Sequence, residues 1–191
     1  MPFSTQNLFV GHCLHKNVKI QFLDSPGVLK RAIEERNNIE MQALTALAHL
    51  KTAVLFVIDV SETSGYSIEE QIGLYRDLKP LYSGKPVVVG YSKVDLLWGQ
   101  DSETIGDLNE ETQGLSPLFA APTDQDSAEL IQKRQTLAKF QEEESQEMSN
   151  ILFMEFSNEN EGAVEQVRMS VCNHLLQFRM SQKKMGDNRK L

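Results

Sequence analysis

Hydrophobic and polar positions along the chain change period several times, and each change marks an element. Val18-Lys19-Ile20-Gln21-Phe22-Leu23 alternates until Leu23, the signature of a strand with one more polar face. Leu8 to Leu14 is expected to pair with it through a turn at His15-Lys16-Asn17. Asn37 with Glu40 three residues on resembles a capping box. Ile39, Ala43, Leu47 and Leu50 then fall on one helical face. Three continuous apolar runs, Ala53 to Ile58, Pro86 to Tyr91 and Ile151 to Phe156, predict parallel strands covered on both sides. Between the first two, Ile68 to Leu78 predicts a helix; after the third, Val164, Val167, Val171, Leu175 and Phe178 line one face of a longer one. Gly99 to about Pro122 reads as loop. Asp126 to Met148 reads as a charged surface helix anchored by Leu130, Leu137 and Phe140. Strands alternating with helices predict an α/β domain with a mainly parallel sheet and flanking crossover helices.

Composition narrows this picture without changing it. The 191 residues have room for one domain, and 40% apolar with 24% charged residues describe a globular chain. No apolar run approaches the roughly 20 residues of a membrane helix. The opening residues show no basic run followed by an apolar stretch, so neither membrane nor secretory signal is expected. Cys13 and Cys172 have no partners at metal-ligand spacing and read as small packed residues. Charge is unevenly placed. Gly99 to Asn150 holds 12 acidic and 3 basic residues, a net of −9 against −8 for the whole chain. That segment, about 99–150, reads as an acidic insert in a domain spanning 1–181. Arg168, Arg179, Lys183, Lys184, Arg189 and Lys190 face only Asp187 near the end, and 182–191 reads as a basic tail, either a solvated helix end or a surface for RNA phosphates.

The loops after the predicted strands carry the candidate chemistry. Asp24-Ser25-Pro26-Gly27 follows the first parallel strand; a carboxylate there can hold magnesium, and a glycine N–H can meet a terminal phosphate, although the same tetrapeptide makes ordinary turns. Ser92-Lys93-Val94-Asp95 is a variant of the N/T-K-x-D box that selects guanine. Its aspartate accepts from the N1–H and the exocyclic amine, donors adenine does not supply there, while the lysine stem lies along the base. Ser157-Asn158 would meet the base edge from a third loop. Singly, each is as compatible with a solvated turn. Together, in order and each at a strand's C-terminal end, they indicate a nucleotide site at the sheet edge.

The runs Asp24 to Leu29 and Glu34 to Leu50, with Asp59-Val60-Ser61-Glu62, the Ser92 box and Glu161-Gly162, resemble the nucleolar GTP-binding protein 1 family of Obg-related GTPases. The resemblance implies a P-loop NTPase-like G domain of Ras/Obg type, with GTP or GDP and magnesium as ligands. It implies a role in assembly of the large ribosomal subunit, on a precursor particle of ribosomal RNA and proteins, in the nucleolus. A monomer within that larger assembly is expected. By the same resemblance Phe3-Ser4-Thr5 matches a Phe-Thr-Thr switch, making Thr5 with Asp24 the implied magnesium ligands, and Thr5, Asp24, Pro26 and Gly27 the implied phosphate and switch residues. Two departures stand out. Ser92 replaces the usual Asn of the guanine box. No G-x-x-x-x-G-K-S/T phosphate loop occurs in the sequence, and Val28 stands where Ras-like switches carry a water-orienting Gln. The G domain is therefore expected to lack its first central strand. The two strands flanking that position, those ending at Asp24 and Asp59, should then either close the gap or leave facing edges unpaired. GTPase activity follows from the resemblance alone, with no catalytic base to name. The rival expectation is a pseudo-GTPase scaffold that binds pre-ribosomal partners without nucleotide.

Overall fold

The computed structural model describes residues 8–25, 38–98 and 127–187. Strands β1 (Phe9–His15) and β2 (Val18–Asp24) form an antiparallel ribbon in register from Phe9↔Asp24 to His15↔Val18. The predicted turn tightens to two residues, Lys16 and Asn17, with φ of 49° and 62°. Two consecutive left-handed residues suit the right-handed twist of a ribbon, and Asn accepts that conformation better than most side chains.

Strands β3 (Val54–Asp59), β4 (Val87–Ser92) and β5 (Ile151–Phe156) form a parallel sheet in the order β3-β4-β5. All six residues of central β4 are buried, as its unbroken apolar run requires. Helix α2 (Ile68–Tyr82) joins β3 to β4 and packs Ile68, Ile72, Tyr75, Leu78 and Tyr82 into the main core with Val87, Val89 and Tyr91. Its start is fixed by a capping box: Ser67 Oγ accepts from the Glu70 N–H, and the Glu70 carboxylate accepts from the Ser67 N–H. The helix runs past the expected end at Leu78, through Pro80 to Tyr82. Tyr82 is fully buried and its hydroxyl donates to the Tyr75 carbonyl at 2.6 Å, so packing carries the last turn through a residue that withholds one N–H.

Helix α1 (Asn38–His49) buries Ala43 and Leu44; Ile39 and Leu47 are half-buried, and Leu50 lies beyond the helix, 46% exposed. The expected cap at Asn37 falls outside the described residues. On the opposite sheet face, helix α5 (Glu161–Asp187) packs Val167 and Val171 against Val88 and Phe156, while Val164 stays in solvent. The approach is close at Gly90, where an added Cβ would lie 2.8 Å from the Phe156 ring.

Helix α4 (Ala128–Glu147) corrects the picture of a peripheral charged helix. It is the crossover from β4 to β5, capped by Ser127, whose hydroxyl accepts from the Leu130 N–H at 3.1 Å. Leu137 and Phe140 sit in the main core, and Arg134 and Glu144 are buried beside them at helical spacing; Leu130 is only half-buried. The remaining acidic side chains face outward, which is why charge counting reads this stretch as an addition. Between α2 and α4, Glu144 is clamped by the Tyr75 hydroxyl at 3.1 Å and by Lys79 Nζ at 2.7 Å, with Lys79 also 2.5 Å from Glu147. Burial and the Glu144 charge both push the Tyr75 hydroxyl's pKa well above its ordinary value.

The ribbon and the three-stranded sheet are separate hydrogen-bonded sheets, and among the described residues no strand lies between β2 and β3. The open branch of the expectation is the one taken. The ribbon instead rests on α5, with Ile20 packed on Cys172 and Leu175 and His15 Nε2 2.9 Å from Asn173 Oδ1. On β3, Leu55 and Val57 are 40% and 47% exposed beside an edge with no partner strand among the described residues. Such an edge pairs readily with another chain, and a lysine on it opposes pairing. Val57→Lys is expected to lower the concentration dependence of the sedimentation coefficient relative to the parent. A parent that sediments as a monomer at every concentration would show the edge to be covered.

Candidate functional site

In the parallel register Asp59 pairs with Ser92 and Ser92 with Phe156, so all three strands end in one row. The loops that start there, at Val60, Lys93 and Ser157, leave side by side at the C-terminal sheet edge, where open α/β sheets bind ligands.

The second loop shows how K-x-D spacing works locally. Ser92 is buried, and its hydroxyl donates to the Ile58 carbonyl at 3.2 Å, stitching the end of β4 to β3. Val94, 4% exposed, anchors the turn in the core. Lys93 and Asp95 flank that anchor and stay half-exposed. Asp95 opens the short helix α3 (Asp95–Trp98), whose turn closes through Leu96 N–H to the Lys93 carbonyl at 3.1 Å. Lys93 adopts φ 60°, a left-handed conformation unusual for a residue with a side chain. Its ammonium is held at 2.7 Å by both Asp59 Oδ2 and Thr63 Oγ1.

Asp59 is the residue that sequence reasoning passed over as a functional group. Its carboxylate, mostly buried, accepts from the Ser61 N–H at 3.1 Å, the Ser61 hydroxyl at 2.6 Å, the Ser64 N–H at 3.0 Å and Lys93. Its backbone is gripped by Gln71 of α2: the Asp59 N–H donates to Oε1 at 2.8 Å and Nε2 donates to the Asp59 carbonyl at 2.9 Å. The signal was present in Asp59-Val60-Ser61, where an aspartate closing an apolar strand precedes a serine able to cap it.

Burial raises the Asp59 pKa, but the hydrogen bonds from Lys93 and Ser61, the Lys93 charge and the Ser64 N–H outweigh burial and hold it below the ordinary 3.8. A depressed folded value means the carboxylate contributes stability above the unfolded pKa and loses it as pH falls through the lower folded one. Asp59→Asn is therefore expected to be less stable than the parent at pH 7, with the gap shrinking as pH drops below about 3.8. Urea midpoints of both proteins between pH 7 and pH 2 check this; a gap that widens in acid would contradict it.

The third loop is more structural than its sequence suggests. Ser157 is buried, and its hydroxyl accepts from the Glu159 N–H at 3.1 Å. Asn158 is exposed at the edge, and Asn160 caps α5 by accepting from the Ala163 N–H at 3.1 Å. On the phosphate side the structure places less. Asp24 ends β2, exposed and opposite Phe9, on the separate ribbon; Thr5, Pro26 and Gly27 lie outside the described residues. Among the described residues no three His, Cys, Asp or Glu gather as metal ligands. One exposed carboxylate does not by itself form a magnesium site. No described helix is long and apolar enough to cross a membrane.

A parallel sheet with its two crossover helices α2 and α4 on one face and α5 on the other, and a K-x-D turn beside a buried aspartate at its C-terminal edge, defines a G-domain-type α/β protein of the P-loop NTPase class. A family model described as nucleolar GTP-binding protein 1 matches residues 38–95. The protein of that name from Drosophila melanogaster is 38% identical over 181 residues, 95% of this chain and 23% of its own length. The one from Saccharomyces cerevisiae is 33% identical over 187 residues, 98% of this chain and 24% of its own. A crystal structure described as nucleolar GTP-binding protein 1 from Plasmodium falciparum aligns with a TM-score of 0.64 at 30% identity, over 96% of this chain and 80% of that one. The chain belongs to the nucleolar GTP-binding protein 1 family. It spans about a quarter of the length of those two curated relatives.

Proposed function

We propose that this chain supplies the guanine-recognising side of a GTP-binding protein acting in the nucleolus, on precursors of the large ribosomal subunit. The observation that carries the reading is the row of strand ends Asp59, Ser92 and Phe156, which sets the Lys93–Asp95 turn beside the Ser157–Asn158 loop. The Asp95 carboxylate accepts from guanine N1–H and the N2 amine, the Lys93 stem lies along the base, and Asn158 faces its edge. The relatives' names support GTP as the nucleotide and the nucleolus as the place. Ribosomal RNA and large-subunit proteins are the partners this reading implies, with the basic 182–191 tail meeting RNA phosphates. Contacts to the γ-phosphate and its magnesium rest on the family resemblance alone, which gives them to Thr5, Asp24, Pro26 and Gly27. The described residues are assigned binding, not hydrolysis.

Amide chemical-shift titration of the 191-residue chain tests this. Without a phosphate loop in the sequence, GDP should bind with a dissociation constant of about 0.1 mM or weaker, equivalent to roughly −5.5 kcal/mol. Shifts are expected at Lys93, Asp95, Ser157 and Asn158, with ADP inert at the same concentrations. Equal responses to GDP and ADP, or none to either, would sink the guanine reading. The absence of any response would favour a nucleotide-independent scaffold, a reading supported by the internal use of the Ser92 and Ser157 hydroxyls.

A further inference from the structure

A lysine that presents its stem to a base is useful only if its four rotatable bonds are held, since an unrestrained stem loses side-chain entropy on binding. The guanine box contains nothing that holds it. In the structure the holding groups come from a different strand and loop: Asp59 at the end of β3 and Thr63 four residues on, each 2.7 Å from Lys93 Nζ. We propose that Asp59 is a positioning residue for base recognition: its carboxylate fixes the Lys93 ammonium, aligns the stem beside the base, and connects the guanine turn to α2 through Gln71.

Three features support this, and the inference rests on the guanine reading above. The Asp59 carboxylate is itself fixed by Ser61 and Ser64, so it offers Lys93 an immobile anchor. Gln71 grips the Asp59 backbone with both ends of its amide, so α2 sets where that anchor stands. The left-handed backbone at Lys93 is a conformation that persists where its surroundings over-determine it, and this pair of contacts does so. The neighbouring Glu62 does not compete for Lys93: it is engaged by Lys133 at 2.8 Å and accepts from the Ile68 N–H at 2.7 Å.

A merely structural role, in which Asp59 only folds the 60–66 loop, is separable by a double-mutant cycle read in GDP affinity. The Lys93–Asp59 pair is partly exposed, 35% on the lysine side, so a modest effect is expected. Asp59→Asn should weaken GDP binding about fivefold, and Lys93→Met, which keeps most of the stem but loses the ammonium, by a similar factor. The double variant should be no weaker than about fivefold, because both changes remove one interaction. Multiplication of the two losses to about twenty-five-fold would overturn the proposal, as would unchanged GDP affinity in Asp59→Asn. Should Asp59→Asn fail to fold, Thr63→Val decides: it removes the second anchor and leaves the Asp59 carboxylate in place, costing it only the 3.4 Å bond from Thr63 Oγ1, and about a twofold loss supports the proposal while none overturns it. A parent chain that binds no GDP removes the guanine reading and this inference with it. A parent that binds GDP beside indifferent Asp59 and Thr63 variants removes this inference alone.

Discussion

Replacing Asp95 by asparagine is expected to reverse the base preference of the chain. Guanine offers two donors, N1–H and the N2 amine, to a carboxylate that accepts both. An asparagine keeps one acceptor and puts an N–H against the N2 amine, leaving two donors facing each other. Xanthine carries a carbonyl at that position and satisfies the new donor. Mismatches of this kind in a site built to hydrogen-bond its ligand reach several orders of magnitude, and at least about a hundredfold is expected here. The GDP-induced shifts at Lys93 and Ser157 should vanish, and xanthosine diphosphate should produce them. The change is nearly isosteric and Asp95 is half-exposed, so the fold is expected to be retained. Undiminished GDP binding in the variant would take Asp95 out of the site.

The second large effect is on stability. Tyr75 is fully buried, with its ring edge-on to Phe56 and Phe140 at centroid separations of 5.2 and 5.0 Å and its hydroxyl on Glu144. Tyr75→Ala opens a cavity among these rings and strips a partner from a buried carboxylate. A loss of about 3–5 kcal/mol is expected, a large share of the 5–15 kcal/mol typical of a domain. Tyr75→Phe isolates the hydroxyl and should lose only about 1–2 kcal/mol. Urea unfolding of the three proteins gives both figures. An alanine variant within 1 kcal/mol of the parent would show that α2 and α4 are joined elsewhere.

The parallel strands were legible because unbroken apolar runs suit a sheet interior, but burial on both faces holds for β4 alone: Leu55 and Val57 of β3 and Leu152 of β5 stay exposed. Ser92-Lys93-Val94-Asp95 was legible as a turn because a K-x-D spacing closes an apolar run; that Val94 anchors it in the core is seen only in the structure. The end of α2 was not, since Pro80 signals a stop and only the packing of Tyr82 overrides it. The span of helix α4 and its anchors Leu137 and Phe140 were legible; the twelve acidic residues of 99–150 hid that Arg134 and Glu144 are buried beside them and that the helix is a crossover of the sheet. Asp59 hid for a different reason. A carboxylate at the end of a strand looks solvated until the loop that folds over it and the lysine from the next strand are placed.

The ribbon's seat on α5 sets how the molecule comes apart. β1 and β2 share no ladder with β3 among the described residues, and their moorings are Ile20, Cys13 and Phe22 beside Cys172 and Leu175, together with His15 on Asn173. Such an appendage can detach while the β3-β4-β5 core stays whole. Its amides should then exchange with solvent deuterium through a sub-global opening of lower free energy than complete unfolding, while Val87 to Ser92 exchange only when everything unfolds.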